Sequence, residues 1–311
     1  MGKTAFVFPG QGAQAVGMGK DAYDASPAAR AIFERADRAL GFELSRIIFE
    51  GPEEALKLTV NTQPALLTVS AALLELIRDR VKPDYVAGHS LGEYSALVAS
   101  GVLAFEDAVR AVRRRGEFME EAVPAGKGAM AAVLGADREA LAKLCEAISA
   151  EKGLVVLANV NCPGQIVVSG TAEGVRAVAE RGREAGAKRV IPLEVSGPFH
   201  SPLMEPAAER LGEVLDALEM RDAEVPVIAN VTAEPVTSAA EIRRLLKEQV
   251  TAPVLWEDTV RRLTALGVDT FVEIGSGSVL TGLIRKTAGS VAIHTVNSLA
   301  ALDAALAALA P

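Results

Sequence analysis

Cysteine, basic charge and long apolar runs are all scarce in this 311-residue chain, and each scarcity removes a class of protein. Two cysteines, Cys145 and Cys162, cannot build a disulfide framework and suit a reducing compartment. Lys and Arg number 32 against 40 Asp and Glu, a formal net charge of -8. That balance argues against general binding to nucleic acid or to an anionic membrane, since both need basic surface. The first apolar run, Ala5 to Phe8, is too short for a signal-peptide core. A myristoylation pattern fails at Phe6, where it needs Ser or Thr. The longest apolar stretch, Ala65 to Ile77, is interrupted by Glu75 and falls short of the roughly 20 residues of a membrane span. Metal and nucleotide signatures are missing as well: there is no HExxH, no CxxC, and no Walker A around Gly126-Lys127-Gly128. The expectation is a soluble, cytoplasmic monomer without metal or cofactor.

Half of the residues are hydrophobic, enough for a sizeable core, and the length allows one large domain or two modest ones. Short β-branched runs alternate with longer helical stretches, the signature of an α/β fold with a parallel sheet covered by helices. Strands are expected at Thr4–Phe8, Tyr85–His89, Val225–Val231, Thr270–Ile274 and Val291–Val296. Ala28–Leu40 reads as an amphipathic helix. Pro64–Ile77 reads as a buried one, with Asn61 or Thr62 as its cap and Pro64 in its first turn. From Gly128 to Val195 the order is strand, helix, strand, strand, helix, strand, a self-contained ferredoxin-like unit. The expected division is therefore a larger α/β domain of residues 1–125 and 197–311 with a small subdomain, 126–196, inserted.

Residues 88–92 read Gly-His-Ser-Leu-Gly after a strand and before a helix. A sharp strand-to-helix turn needs small residues at both ends. It lifts Ser90 Oγ clear of the sheet and presents unpaired helix N–H groups to a developing oxyanion. The reading is a nucleophilic serine; an ordinary turn with a capping serine is the bland alternative.

Three histidines compete for the role of base. His89 adjoins Ser90, and alternation along a strand points it away. His200, in Gly-Pro-Phe-His-Ser-Pro, precedes a helix with Ser201 as cap and Pro202 at its first position. The helix dipole there favours a neutral imidazole, so His200 is preferred. His294 with Ser90 and Asp269 would instead give the chain order of a serine esterase or thioesterase. Asp269, however, opens its strand and so lies at the wrong end of the sheet.

Arg115 falls on the apolar stripe of a helix from about Glu106 to Ala122, beside Ala108, Val112 and Met119, whereas Arg113 and Arg114 fall off it into solvent. A buried guanidinium needs a carboxylate, either an internal acid or one on the substrate. The loop Gly10-Gln11-Gly12-Ala13-Gln14-Ala15 matches a dinucleotide fingerprint by letter but lacks the following helix and second strand. It reads instead as presenting the Gln11 amide to the elbow as an oxyanion donor.

Together, Phe8-Pro9-Gly10-Gln11-Gly12, Gly88-His89-Ser90-Leu91-Gly92-Glu93-Tyr94, Arg115-Gly116 and Gly197-Pro198-Phe199-His200-Ser201 resemble the malonyl-CoA:acyl carrier protein transacylases. So do Asn159-x-Asn161-x-Pro163-Gly164-Gln165 and Gly275-Ser276-Gly277-Ser278-Val279-Leu280. The resemblance runs through nearly the whole chain. It implies an α/β-hydrolase-like core with an inserted ferredoxin-like subdomain, and malonyl transfer from coenzyme A to an acyl carrier protein of fatty-acid or polyketide synthesis. By the same analogy Ser90 is the nucleophile and His200 the base. The Leu91 and Gln11 amides form the oxyanion hole, Arg115 binds the malonyl carboxylate, and Gln249 orients the histidine through its backbone carbonyl. Phe199 and Leu91 resemble the malonyl-selective pattern. Met119 and Val279 are further pocket candidates, and Cys162 reads as a packed thiol near the cleft.

Overall fold

The computed structural model describes residues 2–310. Strands β1 (Lys3–Phe8), β2 (Tyr85–Gly88), β3 (Gly128–Leu134), β4 (Val155–Cys162), β5 (Gln165–Thr171), β6 (Arg189–Pro192), β7 (Val227–Ile228), β8 (Pro235–Val236), β9 (Val254–Leu255), β10 (Val268–Ile274) and β11 (Ala292–Val296) form two sheets among the described residues. The first runs β11-β10-β1-β2-β7-β8 and is parallel except for the closing β7–β8 hairpin. The second runs β6-β3-β5-β4-β9 and is antiparallel except for β4 with β9.

The first sheet is covered on both faces, which is why β1 is a continuous apolar run instead of an alternating one. Phe6 and Phe8 face the core built around the helix Thr59–Ile77, while Ala5 and Val7 face Trp256, Val260 and Leu263 on the other side. Each of these buried large side chains contributes about 1.5–3 kcal/mol. The helix Thr59–Ile77 is apolar and long enough to cross a membrane, but it is consumed as core, packed against helices Pro27–Leu40 and Phe105–Glu121. The second sheet carries its own apolar cluster, including Val133, Leu141, Ile148, Val168 and Val178.

Four expectations are corrected. The helix Thr59–Ile77 begins before the expected cap, so Pro64 lies inside it. Proline offers no N–H to the Val60 carbonyl, and Arg113 Nη1 donates to that oxygen instead, at 3.0 Å. Arg113 is therefore half-buried and structural. The expected strand Val225–Val231 shrinks to Val227–Ile228, because the chain turns after Ala229, whose amide pairs with Glu234. The unit from Gly128 to Val195 is not self-contained: β9, from outside it, extends its sheet through Asn159↔Val254 and Val160↔Leu255.

The C-terminal ends of β1, β2, β7 and β10 lie side by side, and the segments leaving them carry Gln11, Ser90, Asn230 and Gly275. In a parallel sheet this edge is where chemistry collects.

Candidate active site

The turn after β2 is tight enough to dictate its glycines. A Cβ on Gly88 would sit 1.9 Å from the Gly92 carbonyl carbon, and one on Gly92 would sit 2.1 Å from Phe8 O. Between them Ser90 adopts φ 52°, a left-handed strain that persists only where its surroundings over-determine it. Asn230 supplies that constraint: its Oδ1 accepts the Ser90 amide at 2.8 Å and its Nδ2 donates to Gly88 O at 2.6 Å.

Ser90 Oγ lies 2.7 Å from His200 Nε2, and His200 Nδ1 lies 2.9 Å from Gln249 O. A carbonyl can only accept, so Nδ1 carries the proton and Nε2 is left to accept from the serine hydroxyl. Burial, and secondarily the charge of Arg115, push the imidazole down to about 3. Burial is thus the chief cause of its neutrality, with the Arg115 charge next. Ser201 Oγ does not cap the following helix but donates back to Pro198 O at 2.6 Å.

Arg115 is 1 % exposed. Its Nη1 donates to Gln63 Oε1 at 2.8 Å, and its Nη2 donates to Gln249 Oε1 at 3.1 Å and to Ser90 Oγ at 3.3 Å. Its Nε has no partner, and among the described residues no carboxylate comes within ion-pair distance. The guanidinium lies 5.7 Å from the Tyr94 ring centroid. A buried cation held only by neutral groups is costly; this one faces an open space.

That space is a cavity of about 110 Å³ lined by Gln11, Leu91, Arg115, Met119, Phe199 and His200, among others. The Gln11 and Leu91 amides have no backbone acceptor among the described residues. The Gln11 loop can approach because Gly10 lacks a Cβ, which would otherwise meet His89 O at 2.3 Å. A second cleft of about 440 Å³ adjoins the first through Gln11, His89, Asn159, Leu193 and Val195, and Lys57 and Val279 line it further out. Val279, 51 % exposed, belongs to this outer cleft and not to the inner cavity.

The remaining histidines are elsewhere engaged. His89 Nε2 meets Asn161 Oδ1 at 2.7 Å. His294 sits on β11, separated from β2 by β10 and β1, and Asp269 is exposed at the start of β10. The esterase arrangement of Ser90, Asp269 and His294 is not assembled. Cys162 is buried, and burial pushes its thiol up. Sequence reasoning missed Gln63, Asn230 and the buried Glu93. Asn230 had a signal, a polar residue at the C-terminal end of an apolar strand of a parallel sheet.

A family model described as acyl transferase domain matches residues 5–311. The chain is 59 % identical over 287 residues to the malonyl CoA-acyl carrier protein transacylase of Bacillus subtilis (strain 168), covering 92 % of this chain and 90 % of that one. Among solved structures, the acyl-carrier-protein S-malonyltransferase of Bartonella henselae superimposes with TM-score 0.96 at 45 % identity, covering 100 % of both chains. A malonyl-transacylase solved in complex with its type II PKS acyl-carrier protein matches with TM-score 0.95 at 42 % identity, covering 98 % of this chain and 99 % of that one.

Proposed function

We propose a role for each residue of this site from one premise: the chain belongs to the acyl transferase domain family. Within it, the chain moves a malonyl group from malonyl-CoA to the phosphopantetheine thiol of an acyl carrier protein, through an ester on Ser90. The observation that carries this reading is the Ser90–His200 pair, 2.7 Å apart, sharing a cavity with a guanidinium that meets no carboxylate among the described residues.

His200 Nε2 takes the Ser90 proton as Oγ attacks the thioester carbonyl. The oxyanion is received by the Leu91 and Gln11 amides, each such donor contributing about 3–4 kcal/mol in comparable sites. Collapse breaks the C–S bond, and the proton on His200 passes to the departing sulfur. The carrier thiol then gives its proton to His200 and attacks the ester, and Ser90 recovers the proton as it leaves. Gln249 O holds the imidazole tautomer throughout. A carbonyl does this without the charge that would raise the base. Arg115 grips the malonyl carboxylate and so fixes the approach of the carbonyl.

Phe199 and Leu91 wall the cavity where an α-methyl would sit, a discrimination of about 1–3 kcal/mol. The outer cleft receives the pantetheine arm. We read residues 126–196 as a small ferredoxin-like subdomain whose Met130, Asn159, Leu193 and Val195 roof the site, and the whole as a soluble cytoplasmic monomer.

Intact-mass analysis after mixing with malonyl-CoA or acetyl-CoA tests the assignment. Malonyl should appear on Ser90 and persist until a carrier thiol is added. Ser90→Ala should abolish it. Arg115→Ala should lower malonyl loading by about 30-fold or more relative to acetyl, the cost of a lost buried charge partner. Steady release of coenzyme A without an adduct would mean a hydrolase, and neither adduct nor release would mean that the elbow is structural.

A further inference from the structure

Glu93 is a buried acid inside the site that the acyl-transfer steps leave unused. It is 2 % exposed and stands in the first turn of the helix that follows the elbow. Its Oε2 accepts from Gln249 Nε2 at 2.9 Å and from the Asn230 amide at 3.3 Å. The other end of the same Gln249 amide, Oε1, accepts from Arg115. One amide thus stands between a cation and an acid, with its oxygen toward the guanidinium and its N–H toward the carboxyl.

The other groups around Glu93 carry no compensating charge. Asn230, from the segment after β7, and Gln249, ending the helix Ala239–Gln249, are neutral amides. Tyr94, beside it on its own helix, is held as the neutral phenol by burial. His200 is neutral, as described. Arg115, from the helix Phe105–Glu121, is the charge that acts on Glu93. Burial drives the Glu93 carboxyl up to about 7, against the hydrogen bonds from Asn230 and Gln249 and, after them, the charge of Arg115.

We propose that Glu93 is the resident counter-charge of Arg115, and that a malonyl carboxylate takes over this role on loading, so that acylation of Ser90 is coupled to uptake of a proton by Glu93. The inference rests on reading Arg115 as the carboxylate site. Two anions around one buried cation leave a net negative charge in a buried site. Protonating Glu93 relieves it, because the substrate carboxylate would contact Arg115 directly while Glu93 stands behind Gln249. With Arg115 neutralised, only the Asn230 and Gln249 hydrogen bonds oppose the effect of burial on Glu93. Protons therefore favour the malonyl-bound state, and the KM for malonyl-CoA rises as pH rises through the range where Glu93 ionises. Acetyl has no carboxylate and leaves the pair intact.

Acylation itself changes no proton count, since the Ser90 proton ends on coenzyme A, whose thiol stays protonated below about pH 8. A proton change near neutrality therefore reports a protein group. The whole enzyme is mixed with stoichiometric malonyl-CoA in weak buffer with a pH indicator, and the malonyl-Ser90 formed is counted by mass. At pH 7 the expected uptake is a measurable fraction of a proton per malonyl-serine, at most about half, fading toward about pH 5.5, where Glu93 is already protonated. Acetyl loading should take up none, and neither should Glu93→Gln per malonyl-serine formed. Malonyl loading without uptake by the wild type overturns the inference, as does uptake that persists in Glu93→Gln. Should that variant fail to fold, the wild-type malonyl and acetyl profiles decide alone. Arg115→Ala separates the two readings. If it loads malonyl as well as the wild type does, the carboxylate site itself is wrong. If its loading collapses while the wild type takes up no proton, only the role of Glu93 is lost.

Discussion

Two strand-to-helix turns lie close together at the same edge of the first sheet, and they use their helix N-termini in opposite ways. After β2 the turn is tight, Ser90 is strained, and the Leu91 amide opens into a cavity. After β10 the glycine-rich Gly275-Ser276-Gly277-Ser278 leads into the helix Val279–Thr287, an equally plausible anion cradle by composition. There, however, the buried carboxylate of Glu273 accepts from Leu280 N at 3.1 Å, Thr281 N at 2.8 Å and Thr281 Oγ1 at 2.7 Å. The fold fills one helix N-terminus with its own carboxylate and, at the other, leaves the Leu91 amide without a backbone acceptor among the described residues. Helix ends attract anions generally; which end becomes a site depends on whether the chain has already supplied the anion.

The largest effect expected from separating the two turns is on stability. Glu273→Ala leaves the buried Leu280 and Thr281 amides without an acceptor, while the Thr281 hydroxyl keeps Thr295 Oγ1 at 3.0 Å, a loss of about 2–5 kcal/mol to be read from the midpoint of a denaturant titration. Folded molecules of this variant should still form malonyl-Ser90, because Glu273 touches no reacting atom. An unchanged midpoint would show that the second turn does not depend on its carboxylate, and the contrast would collapse. At the elbow the clamp is Asn230, and its loss should appear in the chemistry. Asn230→Ala should slow the acylation step on the order of 10²-fold through misplacement of Ser90, with KM for malonyl-CoA little altered because Arg115 and the outer cleft remain. A rise in KM at constant rate would make Asn230 a binding residue instead of a positioning one.

Legibility from the sequence followed the range of the interactions. Ser90, His200 and Arg115 were visible because local pattern carries each one: glycines at a fixed spacing, a histidine in a Pro-bounded loop, a charge on an apolar stripe. The strands β1, β2, β10 and β11 were visible as β-branched runs. What stayed hidden depends on distant partners. Gln63 reads as part of a polar helix start until Arg115, from another helix, is placed against it. Glu93 looks like an ordinary first-turn acid until Gln249 and Asn230 bury it. Pro64 looked like a helix start because nothing local announces that Arg113 will take the orphaned Val60 carbonyl. The pairing of β9 with β4 joins segments about a hundred residues apart, and two residues of strand leave almost no periodic signal.

The smallest expected effect is an absence, and it tests what keeps the elbow's base neutral. A loop histidine left in water would ionise near 6.5, and the acylation rate would fall away below that pH. His200 is instead held down to about 3, chiefly by burial and next by Arg115. The single-turnover rate at saturating malonyl-CoA should therefore change by less than about twofold between about pH 8 and pH 5, while KM moves with Glu93 as argued above. The same burial has a linked consequence of known sign. The unfolded chain binds a proton on His200 that the folded chain refuses, so this residue's contribution to stability is lost as pH falls from about 6.5 toward 3. An inflection of the saturated rate near 6.5 would mean that the loaded enzyme opens His200 to water. In Arg115→Ala the second of these causes is gone while burial and the nearby His89 remain, so its acid limb should shift upward yet remain below 6.5. A shift all the way to 6.5 would assign the neutral imidazole to the guanidinium charge and not to burial.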